Sequence, residues 1–114
     1  MDNITSQSLT ELINNIKNKK ISSEEATRSF IERAEKSKTL NCYITENFES
    51  ALKKAKEFDN RPNLKCKLPG IPIAIKDLFC TNGIKTTAGS KILNNFFPTY
   101  ESTVTQNIWN EGGI

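Results

Sequence analysis

Apolar residues recur at helical spacing through the first half of the chain. Leu9, Leu12, Ile13 and Ile16 stand at i, i+3, i+4 and i+7. Ser8 and Glu11, just ahead of most of them, have the spacing of a capping box, so a short amphipathic helix is expected there. A second box, Ser22 with Glu25, follows Ile21, which can staple onto Ala26 across the helix start. Ala26, Phe30, Ile31 and Ala34 then share one face, and this helix is expected to run to about Lys36. Cys42 to Thr45 is short, partly β-branched and aromatic, and reads as a strand or an extended link. Phe48, Ala51, Leu52, Ala55 and Phe58 form a third helical stripe, ended by the breaker-rich stretch from Asp59 to Asn63.

The pattern changes at Gly70. Between Asn60 and Gly70 the chain is polar and basic, carries Pro62 and Pro69, and closes on Pro-Gly, the composition of a connecting loop. Ile71 to Ile75 is β-branched and almost continuously apolar, which predicts a strand buried on both faces within an α/β sheet. Thr81 to Ser90 is rich in Thr, Gly, Asn and Ser and reads as loop, with Gly83 and Gly89 able to take positive φ. Ser102 can cap a last helix through Val104, Ile108 and Trp109, closed at Gly112 and Gly113. Ile114 then points onward like the first residue of a strand.

Composition narrows the class. With 114 residues, 36% hydrophobic, 25% charged and a mean hydropathy of -0.52, the chain suits one thin core rather than several domains. The net charge of +3 is spread among helical positions. Its tightest cluster, Lys17 with Lys19 and Lys20, lacks interleaved aromatics and reads as a solvated helix end, where the helix dipole favours cations, rather than an RNA contact. Cys42, Cys66 and Cys80 form no CxxC pair and the chain has no histidine, so reduced thiols are expected and no metal site. No apolar run has the length of a signal peptide core or of a membrane span, and a cytoplasmic protein is expected.

One charged pair, Lys76 and Asp77, closes the apolar strand. Side chains alternate across an extended chain, so Lys76 shares a face with Ala74 and Leu78 while Asp77 points the other way with Ile75. Lys76 can be a solvated edge residue whose stem covers apolar surface. Taken without further context this is the preferred reading; the other is a functional amine that its neighbouring carboxylate does not neutralise.

The surrounding string, GIPIAIKDLFCTNGIKTTAGSK from Gly70 to Lys91, resembles the amidase-signature family without a gap. There the lysine of an apolar strand, followed by Asp, is the base end of a Ser, cis-Ser, Lys triad. The continuation through Ser90-Lys91-Ile92-Leu93 and Phe96 to Pro98, Tyr100-Glu101-Ser102-Thr103-Val104 is most similar to the glutamine-hydrolysing subunits of tRNA-dependent amidotransferases. The resemblance implies an α/β fold in which N-terminal helices precede the first strands of an amidase-signature mixed sheet, incomplete in this chain. Residues 1–114 would then be the N-terminal part of a single amidase-signature domain, with 1–59 helical, 60–70 a loop, and 71–114 the lysine strand, a loop and the following helix.

The same resemblance implies a catalytic role for Lys76 as general base and no cofactor on this chain. ATP and Mg are expected on a partner protein, within a heterotrimer that includes the amidotransferase B and C subunits. Its substrates would be glutamine and misacylated Glu-tRNA(Gln), the tRNA reached mainly through the partner, with no membrane involved. Both triad serines come from a Gly/Ser-rich stretch that these 114 residues do not contain. Ser90 and Ser102 lie outside any Gly-Ser-Ser setting and are read as loop and capping residues. Inactivity of the chain alone is expected, as is apolar surface left open where further strands belong. The alternatives are a non-catalytic interaction module, binding a partner through its N-terminal helices, and a fragment of a different amidase-family hydrolase.

Overall fold

The computed structural model describes residues 3–114. Four α-helices carry the chain: α1 (Leu9–Lys17), α2 (Ser23–Lys36), α3 (Phe48–Asn60) and α4 (Thr103–Asn110). Both expected capping boxes form. The Ser8 N–H donates to Glu11 Oε2 at 2.8 Å and the Glu11 N–H to Ser8 Oγ at 3.3 Å. The corresponding bonds at Ser22 and Glu25 are 2.8 and 3.0 Å. Each box satisfies two of the N–H groups that a helix start leaves without an internal partner.

α2 packs against α3, with Ala26 and Ala55 fully buried on the two helices. Leu12 and Ile16 of α1, Ala26 and Ile71 form the buried core, and Ile21, Phe30, Phe58 and Ile73 pack against it. Burial of each large aliphatic side chain contributes about 1.5–3 kcal/mol relative to exposure, so this small set agrees with the thin core expected from composition.

A polar junction ties α2 to the rest. The Asp59 carboxylate, at the end of α3, accepts the N–H groups of Ser23 and Glu24, both at 2.9 Å, and so caps α2 from 36 residues away. The buried Ser23 hydroxyl donates to the Gly70 carbonyl at 2.6 Å. Gly70 itself has φ +64°, and a Cβ there would lie 2.7 Å from Phe58 Cδ1 and from Ser23. Glycine is required at this point for both conformation and space.

The end of α4 is a Schellman motif, with the Gly112 N–H bonded to Trp109 O and the Gly113 N–H to Ile108 O, both 3.0 Å, and Gly112 at φ +89°. The glycine closure expected for this helix is therefore present. The chain then runs beside residues 68–73. Leu68 N–H meets Glu111 O, Gly70 N–H meets Gly112 O, Ile114 N–H meets Ile71 O, and Ile73 N–H meets Ile114 O, at 2.8 to 2.9 Å.

Here the expectation of a sheet is corrected. No β-strand forms among the described residues; the chain is helical with irregular connections. Among the described residues, Ile71 to Ile75 is paired only through Ile71 and Ile73, on the one edge that meets Ile114, and the N–H groups of Ala74 and Ile75 donate to no backbone carbonyl. Pro72 has no N–H to offer the other edge. A ladder needs a partner along its length, and local β-propensity does not supply one. The expected burial on both faces is absent too, since Ile71 is 2% exposed while Ala74 is exposed. Cys42 to Thr45 is likewise a link, bent at Ile44 and Thr45, rather than a strand.

Large apolar side chains stand open to solvent on two segments. Leu40, Tyr43 and Ile44 lie on the link between α2 and α3, and Ile92, Phe97 and Tyr100 lie before α4, with Ile92 at 94% exposure. No described helix is long and apolar enough to cross a membrane.

Two stability outcomes follow from the junction. In urea unfolding followed by circular dichroism, Gly70→Ala is expected to destabilise by about 2–4 kcal/mol, combining left-handed strain with overpacking. Gly83→Ala, at φ +73° with nothing within 4 Å of its Cβ, is expected to cost only about 1 kcal/mol; equal losses would show that crowding at Gly70 is immaterial. Asp59→Ala is expected to lower stability by about 1–2 kcal/mol, the usual range for a lost N-cap, and to weaken hydrogen-exchange protection in the first turn of α2.

Candidate active site

Burial alternates residue by residue along the extended segment. Ile73, Ile75 and Asp77 are half-buried, while Ala74, Lys76 and Leu78 are exposed. The two faces predicted for Lys76 and Asp77 are thus present, although the segment is not part of a sheet. The Lys76 face is open to solvent: its neighbour Leu78 is 53% exposed, and among the described residues no carboxylate forms an ion pair with Lys76.

Lys76 lines a concavity of about 470 Å³, bounded by the 42–48 link, α3, residues 73–79, the 84–89 loop and Trp109. Lys54 reaches it from α3 and places its amine 4.9 Å from the centre of the Trp109 ring, a cation-π contact. Lys85 lines it from the loop, so three lysines line this concavity. Asp77 supplies the only side-chain carboxylate among the described lining residues.

That carboxylate is occupied. The Thr87 N–H donates to Asp77 Oδ1 at 2.9 Å, and the Thr87 hydroxyl donates to Oδ2. The Ala88 N–H donates to the Asp77 carbonyl at 2.7 Å, and the Gly89 N–H donates to Thr87 Oγ1 at 3.2 Å. Partial burial pushes the Asp77 carboxyl up, but the Thr87 hydroxyl, the Thr87 and Gly89 N–H groups and the Lys85 charge outweigh it and hold the group below its usual range. Ala88 adopts φ +50° and Gly89 φ +69° to bring the loop into place. Left-handed backbone costs a non-glycine residue about 1–2 kcal/mol, which the three hydrogen bonds to Asp77 offset here.

The segment is anchored beyond Asp77 as well. The Cys80 carbonyl accepts the Ser102 N–H at 2.8 Å and the Thr105 hydroxyl at 3.2 Å, tying it to the start of α4. Ser102 Oγ accepts the Thr105 N–H at 3.2 Å, and Ser90 Oγ the Ile92 N–H at 3.3 Å. Both serines thus serve as local caps. Cys42, Cys66 and Cys80 are free thiols, and the Cys80 thiol, 3.4 Å from the Tyr100 hydroxyl, raises the Tyr100 phenol.

Sequence reasoning placed Lys76 and the opposed facing of Asp77 but missed Thr87, Lys54 and Lys85. The Thr-Thr-Ala-Gly run reads as loop by composition, and nothing local in it announces a partner ten residues earlier. The two lysines arrive through helix packing and a loop path, which leave no periodic trace.

Comparison with known proteins gives this geometry its setting. The sequence profile of the family described as Amidase matches residues 25–114. The chain is 71% identical over its whole length to the A subunit of glutamyl-tRNA(Gln) amidotransferase from Pelagibacter ubique (strain HTCC1062), and covers 24% of that protein. It is 48% identical to the corresponding protein of Rickettsia bellii (strain OSU 85-389) and 45% identical to that of Hyphomonas neptunium (strain ATCC 15444), both bearing the same name, and again covers 24% of each. The chain therefore spans about a quarter of the length of the curated relatives it matches. A solved chain, from a vestigial protein complex bearing on the evolutionary origins of an s-triazine catabolic enzyme, superposes with a TM-score of 0.83. It is 24% identical, covered over 95% of this chain and 25% of that one, and so shares the fold. With the family profile reaching from the first turn of α2 through α4 and across the whole Lys76 segment, the chain belongs to the amidase family.

Proposed function

We propose that this chain is the N-terminal part of a single amidase-signature domain in the glutamine-hydrolysing component of a tRNA-dependent amidotransferase, and that Lys76 is its general base. The observation that supports this reading most is the 71% identity over all 114 residues to a protein named for that amidotransferase. In the proposed reaction a serine outside these residues attacks the side-chain amide of glutamine. Its proton passes through a bridging serine to the Lys76 amine, and ammonia leaves. Lys76 has to be uncharged to accept that proton, a state favoured by neighbouring cations and disfavoured by a paired carboxylate.

On this reading the ammonia is consumed by partner B and C subunits that activate Glu-tRNA(Gln), with ATP and Mg bound there rather than on this chain. The first strands of a mixed sheet form in the complete domain, where a neighbour can pair with the Ile71 to Ile75 segment. A cytoplasmic location is part of the same proposal.

The test joins residues 1–114 to the remaining three-quarters of the Pelagibacter protein and assays the product with its B and C partners. Ammonia release from glutamine is expected, and Lys76→Ala is expected to lower kcat by about 10²–10⁴, the range for a general base. Unchanged kcat in Lys76→Ala would overturn the role, and loss of binding alone would move it to substrate positioning. The 114-residue chain by itself is expected to release no ammonia from glutamine.

A further inference from the structure

A lysine base next to an aspartate in the chain poses a physical problem. A carboxylate within reach of an ammonium stabilises the charged form and removes the base from use. Opposed facing separates the two side chains only while the backbone stays extended, and a free aspartate can rotate about χ1. The Asp77 carboxylate is not free: Thr87 engages both of its oxygens, and the Asp77 carbonyl is held by the Ala88 N–H.

We propose that Asp77, Thr87 and the left-handed turn at Ala88 and Gly89 form a latch that withholds the concavity's carboxylate from Lys76, making Asp77 and Thr87 positioning residues for the base. The inference rests on reading Lys76 as that base. The charged side chains among the described lining residues fit the scheme. Lys54 on α3 and Lys85 on the loop are cations, and Asp77 is the single carboxylate side chain among the described lining residues. The latch hydroxyl also explains the strain at Ala88, since the turn is what brings Thr87 and Gly89 onto the Asp77 side chain.

The latch is separable from the activity because its effect is read on the amine itself. The 114-residue chain is treated with limiting acetic anhydride at mildly alkaline pH, and acetylation of Lys76 is measured by mass spectrometry relative to exposed Lys91. Thr87→Val removes the hydroxyl, releases one carboxylate oxygen toward Lys76, and is expected to slow Lys76 acetylation about threefold, the scale of an exposed ion pair. Thr87→Ser restores the hydroxyl and the wild-type rate. The double variant Thr87→Val with Asp77→Asn also reacts at the wild-type rate, because the carboxylate that the lost hydroxyl would release is gone and the Ile114 carboxylate, common to every variant, cancels from the comparison.

Carbon-13 titration of the Asp77 carboxyl gives an independent signal. Its midpoint lies below the usual carboxylate range in the wild type, rises toward it in Thr87→Val and returns in Thr87→Ser. An unchanged Lys76 rate in Thr87→Val, or a double variant as slow as the single one, overturns the latch. Should Thr87→Val fail to fold, Asp77→Asn alone decides: a wild-type rate supports the latch, whereas a threefold rise would mean that Asp77 already pairs with Lys76. If Lys76→Ala keeps full kcat in the completed enzyme, the base reading falls while the acetylation result still stands.

Discussion

The hydrogen bond from the buried Ser23 hydroxyl to the Gly70 carbonyl fixes where the two halves of the chain meet, beside the core that joins Leu12, Ile16 and Ala26 to Ile71. It sits where the first turn of α2, the end of α3 and the start of the extended segment converge, with Asp59 capping α2 alongside. Gly70 takes left-handed backbone there, against Phe58 and Ser23, and turns the chain so that Ile71 enters the core with Leu12, Ile16 and Ala26. A core this small has little apolar burial in reserve, so buried polar bonds with good geometry carry a large share of its specificity. The direction in which residues 71–80 leave that core, and hence the position of Lys76, follows from this junction.

Downstream, the same segment is held at three further points. Ile114 meets Ile71 and Ile73, the 87–89 turn grips Asp77, and α4 docks on the Cys80 carbonyl. Between these anchors the lysine face is solvent-open. The charge arrangement around it is asymmetric: three lysines line one concavity, Lys54 is engaged by the Trp109 ring, and the Asp77 carboxylate is engaged by Thr87.

Membership of the amidase family and the one-quarter coverage of its relatives give the open features a common setting. Ile71 to Ile75 has the composition of a buried strand but pairs with a single residue, and Leu40, Ile44, Ile92 and Phe97 lie exposed. β-propensity expresses the fit of side chains to a pleated, covered surface, so it is realised only where neighbouring strands exist. Helices close their hydrogen bonds locally, which is why all four form here while the strand does not.

That difference also divides what could be read in advance. Ser8 with Glu11, Ser22 with Glu25, and Ser102 with Gly112 and Gly113 mark helix ends through bonds spanning a few residues, and each was legible in the sequence. The opposed facing of Lys76 and Asp77 was legible for the same reason, since alternation in an extended chain is a local property. Helix capping by Asp59 across 36 residues, the crowding that demands glycine at position 70, the positive φ at Ala88 and the grip of Thr87 on Asp77 were not. Each depends on groups brought together by packing. Residue order was therefore enough for the helices and for the opposed facing of Lys76 and Asp77, while the missing sheet and the partner taken by the Asp77 carboxylate emerged only from the folded chain. Local hydrogen bonds depend on spacing along the chain, whereas ladders and side-chain partners depend on what else is folded against them.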